Sequence, residues 1–190
     1  PNISPDIAEP VVIKKQEAKI ILWVANIKPQ KCPEKFIELA RSFLDRKDLE
    51  FHMAGKVTSA YARHIQGLAS KIPSIKFHGE LGMTEVNMLM ARATVFVNTS
   101  DFEGFPNTFI QSWLRGTPVM SETVDPSQII TRLNLGVLAP SVDAMIQQVR
   151  ALLKRPNVFE AMGEKAVSYA VRNHSLENID RVKNLLGITE

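Results

Sequence analysis

Cysteine is almost absent from this chain: Cys32 is the only one in 190 residues. An internal disulfide is excluded, and a lone thiol suits a reducing compartment. No run of 18 apolar residues occurs, so no transmembrane helix is expected, and no signal peptide is visible. Four histidines and one cysteine show no metal-ligand spacing. Strong charge is missing too. The net charge is +3, spread along the chain rather than blocked, so nucleic acid is not an expected partner. A pI near 9.1 still leaves room for a local anion site. There is no internal repeat and no low-complexity tract. The chain begins Pro1-Asn2-Ile3-Ser4 rather than with Met, and is read as a processed or excised piece.

What is present is the apolar content of an ordinary globular domain, 45%, in a chain long enough to bury a sizeable core. Residues 1–18 carry three prolines and read as a linker or lead-in; residues 19–190 read as one domain. Short apolar runs predict strands at Ile20–Val24, Leu49–Ala54, Ile75–His78, Thr94–Val97, Pro118–Met120 and Gly136–Ala139. Between them fall helical stripes. Pro33 opens the first, with Phe36, Ile37, Leu39, Ala40, Phe43 and Leu44 facing inward. Tyr61, Ile65 and Leu68 mark the second. Thr84 is placed to cap the third, over Val86, Leu89, Met90 and Ala93. The fourth starts near Asn107 with Phe109, Ile110, Trp113 and Leu114, and stops at Gly116 before Pro118. A short helix is expected around 128–133, and others at about 142–153, 157–172 and 175–186. Strand and helix alternate six times. That predicts an α/β fold, a Rossmann-like doubly wound parallel sheet of about six strands in three layers, ordered 3-2-1-4-5-6.

In that order strands 1 and 4 are neighbours although roughly 70 residues separate them. A crevice opens between the loops that follow them. The first loop carries Asn26, Lys28 and Lys31. The second carries Ser100, Asp101, Glu103 and the start of the fourth helix. A helix N-terminus with a lysine opposite makes an anion site, most naturally for phosphate. A carboxylate accepts hydrogen bonds from hydroxyls. Phosphate and polyol together suggest a nucleotide sugar.

The same residues carry a family resemblance. Ser100-Asp-Phe-Glu-Gly-Phe-Pro-Asn107, followed by Arg115-Gly-Thr-Pro-Val119, is similar to Ser-x-x-Glu-Gly-Phe, a helix, then Gly-x-Pro-Val. Trp23-Val-Ala-Asn-Ile27 with Lys31 and Pro33, Ile75-Lys-Phe-His-Gly-Glu-Leu81 and Gly136-Val-Leu-Ala-Pro-Ser-Val-Asp143 match further segments in order. From about Ile20 to its end the chain resembles the C-terminal, donor-binding half of group 1 (family 4) retaining glycosyltransferases of the GT-B type. The resemblance implies that Glu103 and Lys31 are the catalytic-site residues: Lys31 at the donor diphosphate, Glu103 at the sugar hydroxyls. Gly104, Phe105, Pro106 and Asn107 would offer backbone N–H groups to the sugar and the distal phosphate. Gly79 and Leu81, flanking Glu80, would lie near the nucleobase. Two positions depart from the pattern. Gln111 stands where the family has a second glutamate, at the ribose, and Asn26 follows Ala25 where it has an arginine after glycine.

The resemblance further implies a nucleotide-sugar donor as substrate, no cofactor and no metal, and an acceptor domain N-terminal to this chain. It implies a cytoplasmic setting, with peripheral membrane contact open to the full-length protein. A fragment without the acceptor domain is expected to be inactive. Two other functions stay open: a non-catalytic nucleotide-sugar-binding or regulatory module, suggested by Gln111 and Asn26, and a sugar-nucleotide epimerase of GT-B type. Among the remaining polar residues, Asp101 is expected to bond its own backbone, and His52 to be satisfied in the core. His64 and His174 are expected at the surface. His78 is the histidine placed nearest the crevice. Trp23 and Trp113 fit core stripes.

Overall fold

The computed structural model describes residues 19–174. The lead-in expected at 1–18 and the helix expected at 175–186 lie outside the described residues. Six strands form one all-parallel sheet: β1 (Lys19–Val24), β2 (Leu49–Ala54), β3 (Ile75–Gly79), β4 (Val95–Asn98), β5 (Val119–Ser121) and β6 (Gly136–Leu138). Their order is β3-β2-β1-β4-β5-β6, as the sequence predicts. Seven helices occur among the described residues: α1 (Pro33–Arg41), α2 (Ala60–Ala69), α3 (Met83–Arg92), α4 (Asn107–Leu114), α5 (Ile129–Arg132), α6 (Val142–Lys154) and α7 (Pro156–His174).

β1 shows why such strands read as unbroken apolar runs. Ile21 and Trp23 point into one core, with α1, α2 and α6. Ile20 and Leu22 point into the other, with α3, α4, α5 and most of α7. The sheet is thus sealed on both faces, which leaves the loops beyond its C-terminal edge as the place for a ligand. α4 ends where Gly116 takes a left-handed φ of 67°. There α7 comes close: a Cβ on Gly163 would lie 2.2 Å from the Gly116 carbonyl oxygen.

Most strand and helix boundaries fall within two residues of those expected. Two local readings need correction. Thr84 does not cap α3. The helix starts at Met83, and Glu85 reaches back to the N–H of Gly82 at 2.9 Å, which closes the N-terminus. Leu44 is not an inward position but 55% exposed. α1 stops at Arg41, so the helical stripe that placed Leu44 inward has already ended.

Candidate functional site

β1 and β4 pair directly, Ile21 with Val95 and Leu22 with Phe96. The loops that follow them are stitched together. The Trp23 indole N–H donates to Thr99 Oγ1 at 2.9 Å, and the Thr99 hydroxyl donates onward to the Lys31 carbonyl at 2.6 Å. Thr99 is fully buried. The Asp101 N–H donates to the Gln30 carbonyl at 3.1 Å. From α1, Lys35 Nζ reaches Asp101 Oδ1 at 3.3 Å and Glu122 Oε2 at 2.8 Å, tying in the end of β5. Its pKa is raised, first by the hydrogen bond to Glu122. Each of these links joins parts of the chain far apart in sequence, so the two loops hold one relative position.

On this platform Lys31 Nζ meets Glu103 Oε2 at 2.8 Å. The Asn98 amide donates to Glu103 Oε1 at 2.8 Å. Burial works to raise the Glu103 pKa, but hydrogen bonds from Lys31, Ser100 and Asn98 outweigh it and leave it lowered. Glu103 is therefore a carboxylate at neutral pH. A carboxylate has about four acceptor sites and these three donors fill three of them, so Glu103 keeps capacity for a hydroxyl. Four residues on, α4 begins. Pro106 is its N-cap, with extended φ and ψ of −66° and 126°. The free N–H groups of the first turn and the helix dipole point out of the sheet edge. Phe105 is turned inward. Its ring lies 6.2 Å from Trp113 and 5.4 Å from His174, which anchors the loop between Glu103 and the helix.

Beside the pair, towards β2 and β3, lies a cleft of about 240 Å³. Its wall includes Ala25 and Asn26 from the first loop, Gly55 and Lys56 after β2, Glu80 and Leu81 after β3, and Thr108 in the first turn of α4. Close backbone approach shapes it. A Cβ on Gly55 would lie 2.3 Å from the Ala25 carbonyl oxygen, and the Gly55 N–H donates to the Gly79 carbonyl at 2.7 Å. Gly79 itself has a left-handed φ of 72°, which favours glycine. Among the described residues no group of three or more His, Cys, Asp or Glu is arranged to hold a metal ion. No helix among them is long and apolar enough to cross a membrane.

The family model of the glycosyl transferases group 1 matches residues 18–155, most of the chain. The chain belongs to the group 1 glycosyltransferases. Its fold recurs in solved glycosyltransferase structures. Anabaena Alr3699/HepE in complex with UDP and glucose aligns with a TM-score of 0.77 at 14% identity, over 91% of this chain and 49% of that one. Sucrose-phosphate synthase from Thermosynechococcus elongatus aligns at 0.77 and 19% identity, over 90% and 45%. WaaG, a glycosyltransferase involved in lipopolysaccharide biosynthesis, aligns at 0.70 and 21% identity, over 82% and 43%. The chain thus spans about half the length of these structures or a little less. At such identities the likeness establishes the fold. No curated protein sequence matches the chain.

This glycosyltransferase chain brings Lys31, Glu103, Gly104 and the Asn107 end of α4 together, while Asn26 and Leu81 line the neighbouring cleft. Gln111 stands apart: its amide donates to Met83 Sδ on α3 at 3.0 Å. Pro106 has no N–H to present; its part is to set the helix start. Asp101 does not bond its own backbone: its carboxylate is taken by Lys35, while the Cys32 thiol donates to the Pro29 carbonyl. His174 is not a surface residue. It is 5% exposed, packed on Phe105 and Tyr169. His78 pairs with His52 at 3.1 Å, and His52 with Glu50 at 3.1 Å. Sequence reasoning missed Asn98, Thr99, Lys35, Lys56 and Thr108. Asn98 alone left a trace, as a polar residue closing an apolar strand at a ligand-binding edge.

Proposed function

We propose that the chain is the donor-binding half of a retaining glycosyltransferase, which moves a hexose-type sugar from a nucleoside diphosphate to a glycan, lipid or other acceptor. The observation that carries this reading is the Lys31–Glu103 pair, 2.8 Å apart, set beside the N-terminus of α4 and next to a cleft of nucleotide-fragment size. The donor diphosphate lies against Lys31 and the first N–H groups of α4, which neutralise the charge that grows on the leaving group. The ionised Glu103 accepts hydrogen bonds from sugar hydroxyls and orients the ring. The base lies towards Leu81. Roughly half the length of the structurally similar enzymes is not represented in this chain, and the acceptor is taken to bind there. Alone, the chain binds donor and transfers nothing.

One observation favours a second reading, a nucleotide-sugar-binding module without catalysis. Gln111 donates to Met83 and does not line the cleft, and Asn26 supplies no charge to it. Thermal-shift measurements with UDP, GDP and ADP, repeated on Glu103→Ala with a UDP-sugar, test the donor site. Stabilisation by one nucleotide, and loss of the extra stabilisation by the sugar in the variant, are expected. No shift with any of the three would remove the donor reading. For the natural full-length protein, sugar transfer supports the enzyme and donor hydrolysis or binding without transfer supports the module.

A further inference from the structure

Resting on the donor-site reading, the geometry points to Lys56 as a donor-binding residue that supplies the diphosphate with the cation Asn26 does not. Among the described residues, Lys56 is the one cation on the wall of the cleft. Lys31 is held by Glu103, and Lys28 does not line that wall. Lys56 is rooted beside the position it replaces. Gly55, the residue before it, is in backbone contact with Ala25, the residue before Asn26. The Ala25 N–H also donates to the Ala54 carbonyl at 3.2 Å. A long flexible lysine stem starting from Lys56 therefore sweeps the space an arginine at position 26 would fill.

Without ligand, Lys56 Nζ rests on Glu80 Oε1 at 2.9 Å, a bridge between the loops after β2 and β3. Both side chains are more than half exposed, 51% and 60%. Such a pair contributes little and parts readily, since water can take over both ends. A diphosphate carries more than one negative charge and outcompetes a single exposed carboxylate. Lys56 then turns from Glu80 to the phosphates, and Glu80 is left hydrated at the rim. The two cations of the site are thus both held by carboxylates until donor arrives, Lys31 by Glu103 and Lys56 by Glu80.

Titration of the protein and its variants with UDP and with uridine tests this. Lys56→Met is expected to weaken UDP binding about tenfold to a hundredfold, the worth of one charge-assisted hydrogen bond. It is expected to leave uridine unchanged within about twofold and to make UDP binding less sensitive to salt. Lys56→Arg retains UDP affinity. Glu80→Gln, which frees Lys56, binds UDP more tightly than the unaltered protein. Lys56→Met with undiminished UDP affinity, while Lys31→Ala loses it, would overturn the assignment and leave the donor site standing. Equal losses of UDP and uridine in Lys56→Met would show a contact with the nucleoside instead and also overturn it. Absence of UDP, GDP and ADP binding to the unaltered protein would remove the donor site and Lys56's role with it. Lys56 is exposed at a loop, and thermal melts of the variants within a few degrees of the parent confirm that they fold.

Discussion

Thr99→Val is a nearly isosteric change at the point where the two functional loops join. The hydroxyl it removes accepts from the Trp23 indole and donates to the Lys31 carbonyl, at 2.9 and 2.6 Å. The indole N–H is buried and has nowhere else to go, which costs about 1–3 kcal/mol. The Lys31 carbonyl is only partly buried and can turn to water, so its loss is nearer the net worth of a hydrogen bond, about 1 kcal/mol. The expected destabilisation is about 2–4 kcal/mol, read as a lower urea midpoint. Thr99→Ser keeps the hydroxyl and should cost clearly less. The double-mutant cycle with Trp23→Phe sharpens the test. Once the indole N–H is gone, Thr99→Val should cost half as much or less, because no buried donor is orphaned. Nucleotide affinity should fall alongside stability, since the backbone of Lys31 is no longer fixed. A loss below about 0.5 kcal/mol, or the same loss with and without the indole, would refute the view that this bridge holds the site together.

Other perturbations probe the frame around the site. Gly55→Ala would push a methyl to 2.3 Å from the Ala25 carbonyl oxygen and 2.9 Å from Ile27 Cγ1. It should destabilise by about 1–3 kcal/mol in chemical denaturation and weaken nucleotide binding. The histidine pair gives a pH signature. Burial holds the pKa values of His52 and His78 below the usual value of about 6.5. As pH falls through that value the unfolded chain takes up protons that the folded one refuses, so stability should drop between about pH 7 and pH 5.5. Urea midpoints at the two pH values should draw together in a His52→Phe, His78→Gln double variant. An undiminished pH dependence would assign the effect to other groups.

The sheet was readable because parallel strands covered on both faces have to be short apolar runs, and Ile20–Val24 is one. The commonest order for six such strands, with right-handed crossovers, then put β1 beside β4, and with them the loops of Lys31 and Glu103. What stayed hidden were contacts with no local pattern. Trp23 and Thr99 are 76 residues apart, and nothing in either segment marks a hydrogen bond. Lys35 looks like any polar helix position until Asp101 and Glu122 close on it from two other loops. His174 reads as the polar end of a helix, and its burial comes from Phe105, nearly 70 residues earlier. Leu44 misled in the opposite sense, because an apolar residue at helical spacing says nothing about where the helix stops. Lys56 could be found only once the close approach of Gly55 and Ala25 had placed it beside Asn26.

The central claim is that one donor site is built from Lys31, Glu103 and the start of α4. Amide chemical-shift mapping of the isotopically labelled protein during titration with UDP tests it most directly. The account predicts shifts clustered at Lys31, Gly104, Asn107, Thr108 and Leu81, and their loss in Lys31→Ala. Shifts clustered instead in the groove between α1 and α2, around Glu38 and Arg41, or unchanged by Lys31→Ala, would contradict it.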